Sequence, residues 1–130
     1  MRLLLDTHVA IWAVIDDLRL TRHAKDLLQD DANEVFVSAV SIWEIAVKRR
    51  TARKSTSMPV SCGDALEAFR RAKFELLPVT LTHAAAVEAL PMLHGDPFDH
   101  LLAAQAVSEP MRLMTHDARL ADYDRSIIKV

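Results

Sequence analysis

RLLLDTHVAIWAVI, residues 2–15, changes character at Asp6. Leu3, Leu4 and Leu5 form a short apolar run closed by an acid, which predicts a buried first strand. The apolar stretch from about Val9 predicts a helix. The alternation continues outward from there. RLTRHAKDLLQDD places Leu20, Ala24, Leu27 and Leu28 on one face of a second helix, with charge on the other. EVFVS is rich in β-branched and aromatic residues and predicts a strand, after which Ser38 or Ser41 can cap the helix IWEIAVKRR. CGDALEAFRRAKF predicts an amphipathic helix and ELLPV a short strand. Thr82 is read as starting the helix HAAAVEAL, and Asp96 as the N-cap of PFDHLLAAQAV with Pro97 in its first turn. RLMT predicts a further strand, and SIIKV closes the chain after HDARLADY. Five short strands separated by helices describe an α/β protein with a mainly parallel sheet. Such sheets bind ligands at the carboxyl ends of their strands, beside a topological switch point.

Bulk properties narrow the classes of function. The 130 residues are read as one domain, 1–130, with 51% hydrophobic and 26% charged residues, ordinary values for a globular protein able to bury its own core. A net charge of −2 gives no global basic field, so any contact with nucleic acid must come from a local patch. The single cysteine, Cys62, cannot form an intrachain disulfide or a thiolate metal cage, which favours a reducing cytoplasm. The longest apolar run near the N-terminus, residues 9–15, is too short to span a bilayer, so the expectation is a cytoplasmic protein without a membrane segment. Only two glycines are present, Gly63 and Gly95, which leaves no glycine-rich phosphate loop or dinucleotide fingerprint.

The acidic residues sort by position. Asp6 ends the first predicted strand and Asp117 lies just past RLMT. Glu44 stands in the first turns of the helix leaving EVFVS, on the same side of the sheet. Asp99, in the first turn of the helix before RLMT, joins them if that helix begins near the same edge. Each has an ordinary structural role open to it: Asp6 in a turn or cap, Glu44 in a capping box with Ser41, Asp117 as a cap, and Asp99 favoured by the helix dipole. Gathered together, four carboxylates repel one another and raise some of their own pKa values. A hard divalent cation such as Mg²⁺ or Mn²⁺ resolves that repulsion, and such a set suits phosphodiester hydrolysis.

The segments LLLDTHVAIWAV, VSAVSIWEIAVK, LPMLHGDPFDHLLAAQA and RLMTHDARLADY resemble, in order and spacing, those of the PIN-domain family, and within it the VapC-type toxins of bacterial toxin–antitoxin pairs. The resemblance runs over essentially the whole chain. It implies a three-layer α/β/α domain and a Mg²⁺- or Mn²⁺-dependent endoribonuclease acting on structured RNA such as transfer or ribosomal RNA. It also implies a homodimer neutralised by a cognate VapB-like antitoxin. By this likeness Asp6, Glu44, Asp99 and Asp117 are the catalytic, metal-binding acids, and Thr115 is the supporting hydroxyl two residues before the last of them. Two departures stand out. The family's usual DPFDR is DPFDH here, so His100 replaces an arginine. KRRTARKSTSMPV also lacks the usual Gly-Lys turn.

The densest basic run contains Lys48, Arg49, Arg50, Arg53 and Lys54. It is either a solvated face or a phosphate-binding rim, with Lys48, Arg49 and Arg53 as the candidate nucleic-acid contacts. The six histidines show no zinc spacing, although His8 and His116 each neighbour a candidate acid. Trp12 and Trp43 are read as core or dimer contacts. Two other classes of function compete with a ribonuclease. One is a phosphotransfer or phosphatase domain using a strand-end aspartate, against which DTH lacks the second aspartate of a D-x-D loop. The other is a non-catalytic binding module whose acids are only caps.

Overall fold

The computed structural model describes residues 1–51, 58–91 and 95–130. Five strands, β1 (Arg2–Leu5), β2 (Glu34–Ser38), β3 (Glu75–Leu77), β4 (Arg112–Thr115) and β5 (Ile128–Lys129), form one sheet in the order β3-β2-β1-β4-β5. Every neighbouring pair is parallel, with Leu5 opposite both Val37 and Met114. The helices are α1 (Thr7–Ile15), α2 (Arg22–Gln29), α3 (Ala39–Thr51), α4 (Cys62–Arg71), α5 (Leu81–Ala86), α6 (Pro97–Ser108) and α7 (Ala118–Ala121). A single 3-10 turn, Val87–Ala89, follows α5.

The leucine run of β1 shows how the layers arise. Successive side chains on a strand point to opposite faces. Leu3 and Leu5 therefore pack with Val35, Val37 and Met114 beneath α1, α2 and α4, in a core that includes Trp12, Ala24 and Phe69. Leu4 points the other way and packs with Leu113, Leu102, Ala103 and Leu120, beneath α6 and α7. All three leucines are fully buried. A central strand buried on both faces requires apolar residues throughout, which is why β1 reads as a continuous run. The result is a three-layer α/β/α arrangement, as the family resemblance implies, around the parallel sheet that the residue pattern predicts.

Strands β2 and β4 have the expected bounds, and Asp96 caps α6 as expected, its Oδ1 accepting from the Phe98 and Asp99 amides. β3 and β5 are shorter than the segments ELLPV and SIIKV, and three helix starts show why the local reading shifts. Helix α1 starts at Thr7 rather than near Val9, because Asp6 itself is the N-cap and accepts from the Val9 amide at 2.8 Å. Helix α5 is capped by Thr80 rather than started by Thr82: Thr80 and His83 form a reciprocal capping box. Ser38, not Ser41, serves the start of α3, accepting from the Val40 amide at 3.0 Å.

The strand order places the switch point. From β1 the chain steps outward to β2 and β3, then crosses back to lay β4 on the other side of β1. Connections after β1 and β4 thus leave toward opposite sides, opening a crevice at their carboxyl ends. Asp6 follows β1 and Asp117 follows β4 by two residues.

Candidate active site at the carboxyl edge of the sheet

Asp6 is almost fully buried, and both its oxygens are held. Oδ1 accepts the Val9 amide, and Oδ2 accepts the Thr115 hydroxyl at 2.5 Å. Thr115 Oγ1 in turn accepts the Asp117 amide at 3.0 Å, so one hydroxyl aligns the acids leaving β1 and β4. Burial drives the Asp6 carboxyl above the ordinary 3.8, opposed by the Thr115 and Val9 hydrogen bonds and by His8; the charge of Glu44 adds to the rise. Asp117 caps α7 through the Arg119 amide at 2.8 Å and pairs with the Arg119 guanidinium at 3.1 Å.

Glu44 is only 3% exposed, on the inward face of α3. It does not complete a capping box with Ser41, because α3 has already begun at Ala39 and Ser41 lies inside it. Ser41 instead accepts the Thr7 hydroxyl at 2.9 Å in a buried contact that fixes α1 against α3. That contact lies three residues from Glu44 and one from Asp6. Glu44 is paired with Lys48 one turn on, Nζ to Oε2 at 2.5 Å.

Helix α6 leads into β4, so in a parallel crossover it begins at the carboxyl edge. Asp99 therefore arrives beside the other acids from its first turn. Its carboxyl is pushed up to about 7, first by burial and then by the charges of Asp96, Asp6, Glu44 and Asp117. That four acids act on a fifth places all of them within one electrostatic neighbourhood. The donor set is thus carboxylate on four different elements, crowded enough to hold a proton near neutrality. This chemistry fits a hard divalent cation that keeps part of its shell as water. Among the described residues, no group of three or more His, Cys, Asp or Glu side chains is arranged to hold a metal ion as it stands.

A cleft of about 290 Å³ opens beside Asp6 and Asp117, lined also by His8, Trp12, Arg19 and His116. Trp12 is buried, edge-on to His116 at 5.3 Å, with the Arg19 guanidinium 4.9 Å over its ring. Arg19 is held by Asp17 at 2.7 Å. His116 Nδ1 lies 2.7 Å from the Val130 carbonyl, an acceptor that fixes the ring. Sequence reasoning missed Arg19 altogether; it follows a turn of two aspartates and carries no periodic signal.

The other candidates fall in several places. Lys48 faces Glu44 and lies 5.9 Å from the Phe98 ring, while Arg49 donates to the Met58 carbonyl at 2.9 Å. Arg53 lies outside the described residues, as do Lys54 and the rest of 52–57 within the segment lacking the Gly-Lys turn. His100 packs edge-on to Tyr123 at 5.7 Å. Trp43 is not a core residue: it is half exposed and meets Phe98 edge-on at 4.8 Å.

An α/β/α fold with carboxylates ringing the switch-point crevice agrees with comparison to known proteins. The PIN domain profile matches residues 3–126. The chain belongs to the PIN-domain family. Within that family it is of the VapC type: Ribonuclease VapC22 of Mycobacterium tuberculosis (strain ATCC 25618 / H37Rv) is 34% identical over 123 residues, covering 92% of this chain and 90% of that protein. Solved structures share the fold at lower identity. VapBC2 from Rickettsia felis, bound to a promoter DNA fragment, superposes with TM-score 0.68 at 15% identity, covering 100% of this chain and 98% of that one. DNA-bound VapBC from Salmonella typhimurium gives 0.64 at 16%, covering 100% and 97%. FitAcB from Neisseria gonorrhoeae gives 0.62 at 15%, covering 98% and 96%.

Proposed function

We propose that this chain is a divalent-metal-dependent endoribonuclease, the toxin of a VapBC-like pair. It acts as a single domain over residues 1–130 in the cytoplasm, as a homodimer, and a VapB-like antitoxin restrains it. The observation that carries the reading is the electrostatic neighbourhood of Asp6, Glu44, Asp99 and Asp117 at the carboxyl edge, in which burial first and the neighbouring acids second raise the Asp99 carboxyl to about 7. The name of the Mycobacterium relative supports ribonuclease activity, and the VapBC neighbours support a VapB-like partner. Among the described residues no helix is long and apolar enough to cross a membrane.

Asp6, Glu44, Asp99 and Asp117 would hold Mg²⁺ or Mn²⁺. When bound, the ion would polarise an RNA phosphate and acidify a water for in-line attack. Thr115 keeps the Asp6 and Asp117 sides of the site in register. One of the four carboxylates would serve as general base toward the attacking water. Arg19, which lines the cleft, would meet the RNA backbone, and Lys48, Arg49 and Arg53, the last outside the described residues, are the further candidate contacts. The substrate class is structured RNA, transfer or ribosomal.

The phosphotransfer alternative is weakened by the Asp6 geometry: a buried carboxylate with both oxygens engaged is poorly placed to be phosphorylated. The test is cleavage of total RNA with Mg²⁺ or Mn²⁺, with and without chelator, beside Asp6→Asn and Asp99→Asn. Loss of cleavage in both variants and in chelator is expected. Undiminished cleavage by either variant would overturn the site assignment, and no bound Mn²⁺ together with no cleavage would leave the binding module.

A further inference from the structure

Lys48 belongs to the basic run at the end of α3, yet its side chain pairs with one of the four acids. Its Nζ meets Glu44 Oε2 at 2.5 Å, one helical turn along α3, and its side chain is 35% exposed against 4% for that of Glu44. The ammonium also lies 5.9 Å from the ring of Phe98, the residue before Asp99. It therefore stands between Glu44 on α3 and Phe98 at the start of α6. A buried carboxylate left without a positive partner is costly, and here the partner comes from the same helix.

From this geometry we infer that Lys48 is an internal counter-cation: it occupies Glu44 when no divalent ion is bound and competes with that ion for the carboxylate. The inference rests on the proposed cation-binding role of the four acids. Two cations cannot share Glu44 at close range without strong repulsion. Entry of a divalent ion therefore moves the ammonium off Oε2, toward the open side of the site. The partial exposure of the lysine and its four-carbon stem permit that movement without any change in the backbone. The device also lets a crowded acidic site stay folded without metal, at the expense of weaker ion binding.

The test is calorimetric titration of the intact protein with Mn²⁺ alone, comparing the parent, Lys48→Met, Lys48→Arg and Asp99→Asn. Lys48→Met keeps the apolar stem beside Phe98 and removes the charge. Mn²⁺ should bind it about tenfold more tightly than the parent, the scale expected for removing a unit charge a few ångströms from a divalent ion. Lys48→Arg should bind like the parent. A second readout needs no variant: acetylation of Lys48 by an amine-reactive ester, followed by mass spectrometry, should rise when Mn²⁺ is added. Unchanged or weaker Mn²⁺ binding by Lys48→Met, or Lys48 labelling that is unchanged or falls with Mn²⁺, overturns the inference. Failure of the cation reading itself shows separately, as Asp99→Asn binding Mn²⁺ as well as the parent does.

Discussion

At the scale of single residues, the two aspartates of DPFDH do different work, three positions apart. Asp96 caps α6, and its charge also raises the Asp99 carboxyl, second only to burial. The two effects are separable. Asp96→Ser keeps a capping oxygen and removes the charge, so stability should change by less than about 1 kcal/mol. The Asp99 pKa should then fall below 7, as read by NMR titration of its carboxyl. The sign of the pH dependence follows from the same shift. The unfolded carboxyl titrates near 3.8 and the native one at about 7. Between these values the native state binds more protons, so the stability of the cation-free protein should fall as pH rises through that window and level off above it. Thermal melts in chelator from pH 4 to 8 should show that slope. Asp99→Asn should lessen it, leaving the part due to Asp6, whose carboxyl is also raised by burial.

At the scale of elements, the acids depend on how α6 and α3 are locked to the sheet. Buried Gln105 on α6 accepts the Ser38 hydroxyl and donates to the Pro78 carbonyl and to His83 Nδ1, each at 3.2 Å. His83, also buried, holds Glu109 through Nε2 at 2.7 Å. The end of β2, the loop after β3 and both ends of the α5–α6 hairpin thus meet on one side chain. Gln105→Leu should cost about 2–4 kcal/mol, because it strands several buried polar groups at once, and urea denaturation measures it. None of this network was legible in the sequence, where Gln105 reads as one polar residue in LLAAQA. What was legible had a local cause. EVFVS and RLMT are recognisable because a strand buried on both faces tolerates little but apolar residues, and α6 is recognisable because Asp96-Pro97 is a start signal by itself. Glu44 shows the opposite. Its S-x-x-E pattern suggested a capping box, but Ser38 had already started the helix, so tertiary burial rather than local pattern decides its role. Lys48 likewise belonged to a basic run whose direction only the packing of α3 against α6 fixes.

At the scale of the whole molecule, the order β3-β2-β1-β4-β5 brings Asp6 and Asp117 to one crevice, with Glu44 and Asp99 in their electrostatic neighbourhood, although 111 residues separate Asp6 from Asp117. The sequence revealed the alternation of strands and helices. It could not reveal which strands are neighbours, because nothing in RLMT states that it pairs with β1 rather than β3. If the proposed cation role holds, this topology couples folding to ion binding, since the four acids converge only when β1, β4, α3 and α6 are all in place. A ligand that binds the folded state alone stabilises it by mass action, about 2.7 kcal/mol at a hundred times its Kd. For a chain of this length that corresponds to a rise in Tm on the order of 10 °C. Calorimetric scans of the parent with saturating Mn²⁺ should show that rise, and Mg²⁺ should give a rise in the same direction. In Asp6→Asn combined with Asp99→Asn the shift should vanish, even though removing two crowded charges should itself raise the Tm without added ion. A double variant that still gains the full shift would mean that the ion binds away from the switch point and that the four acids answer to some other partner.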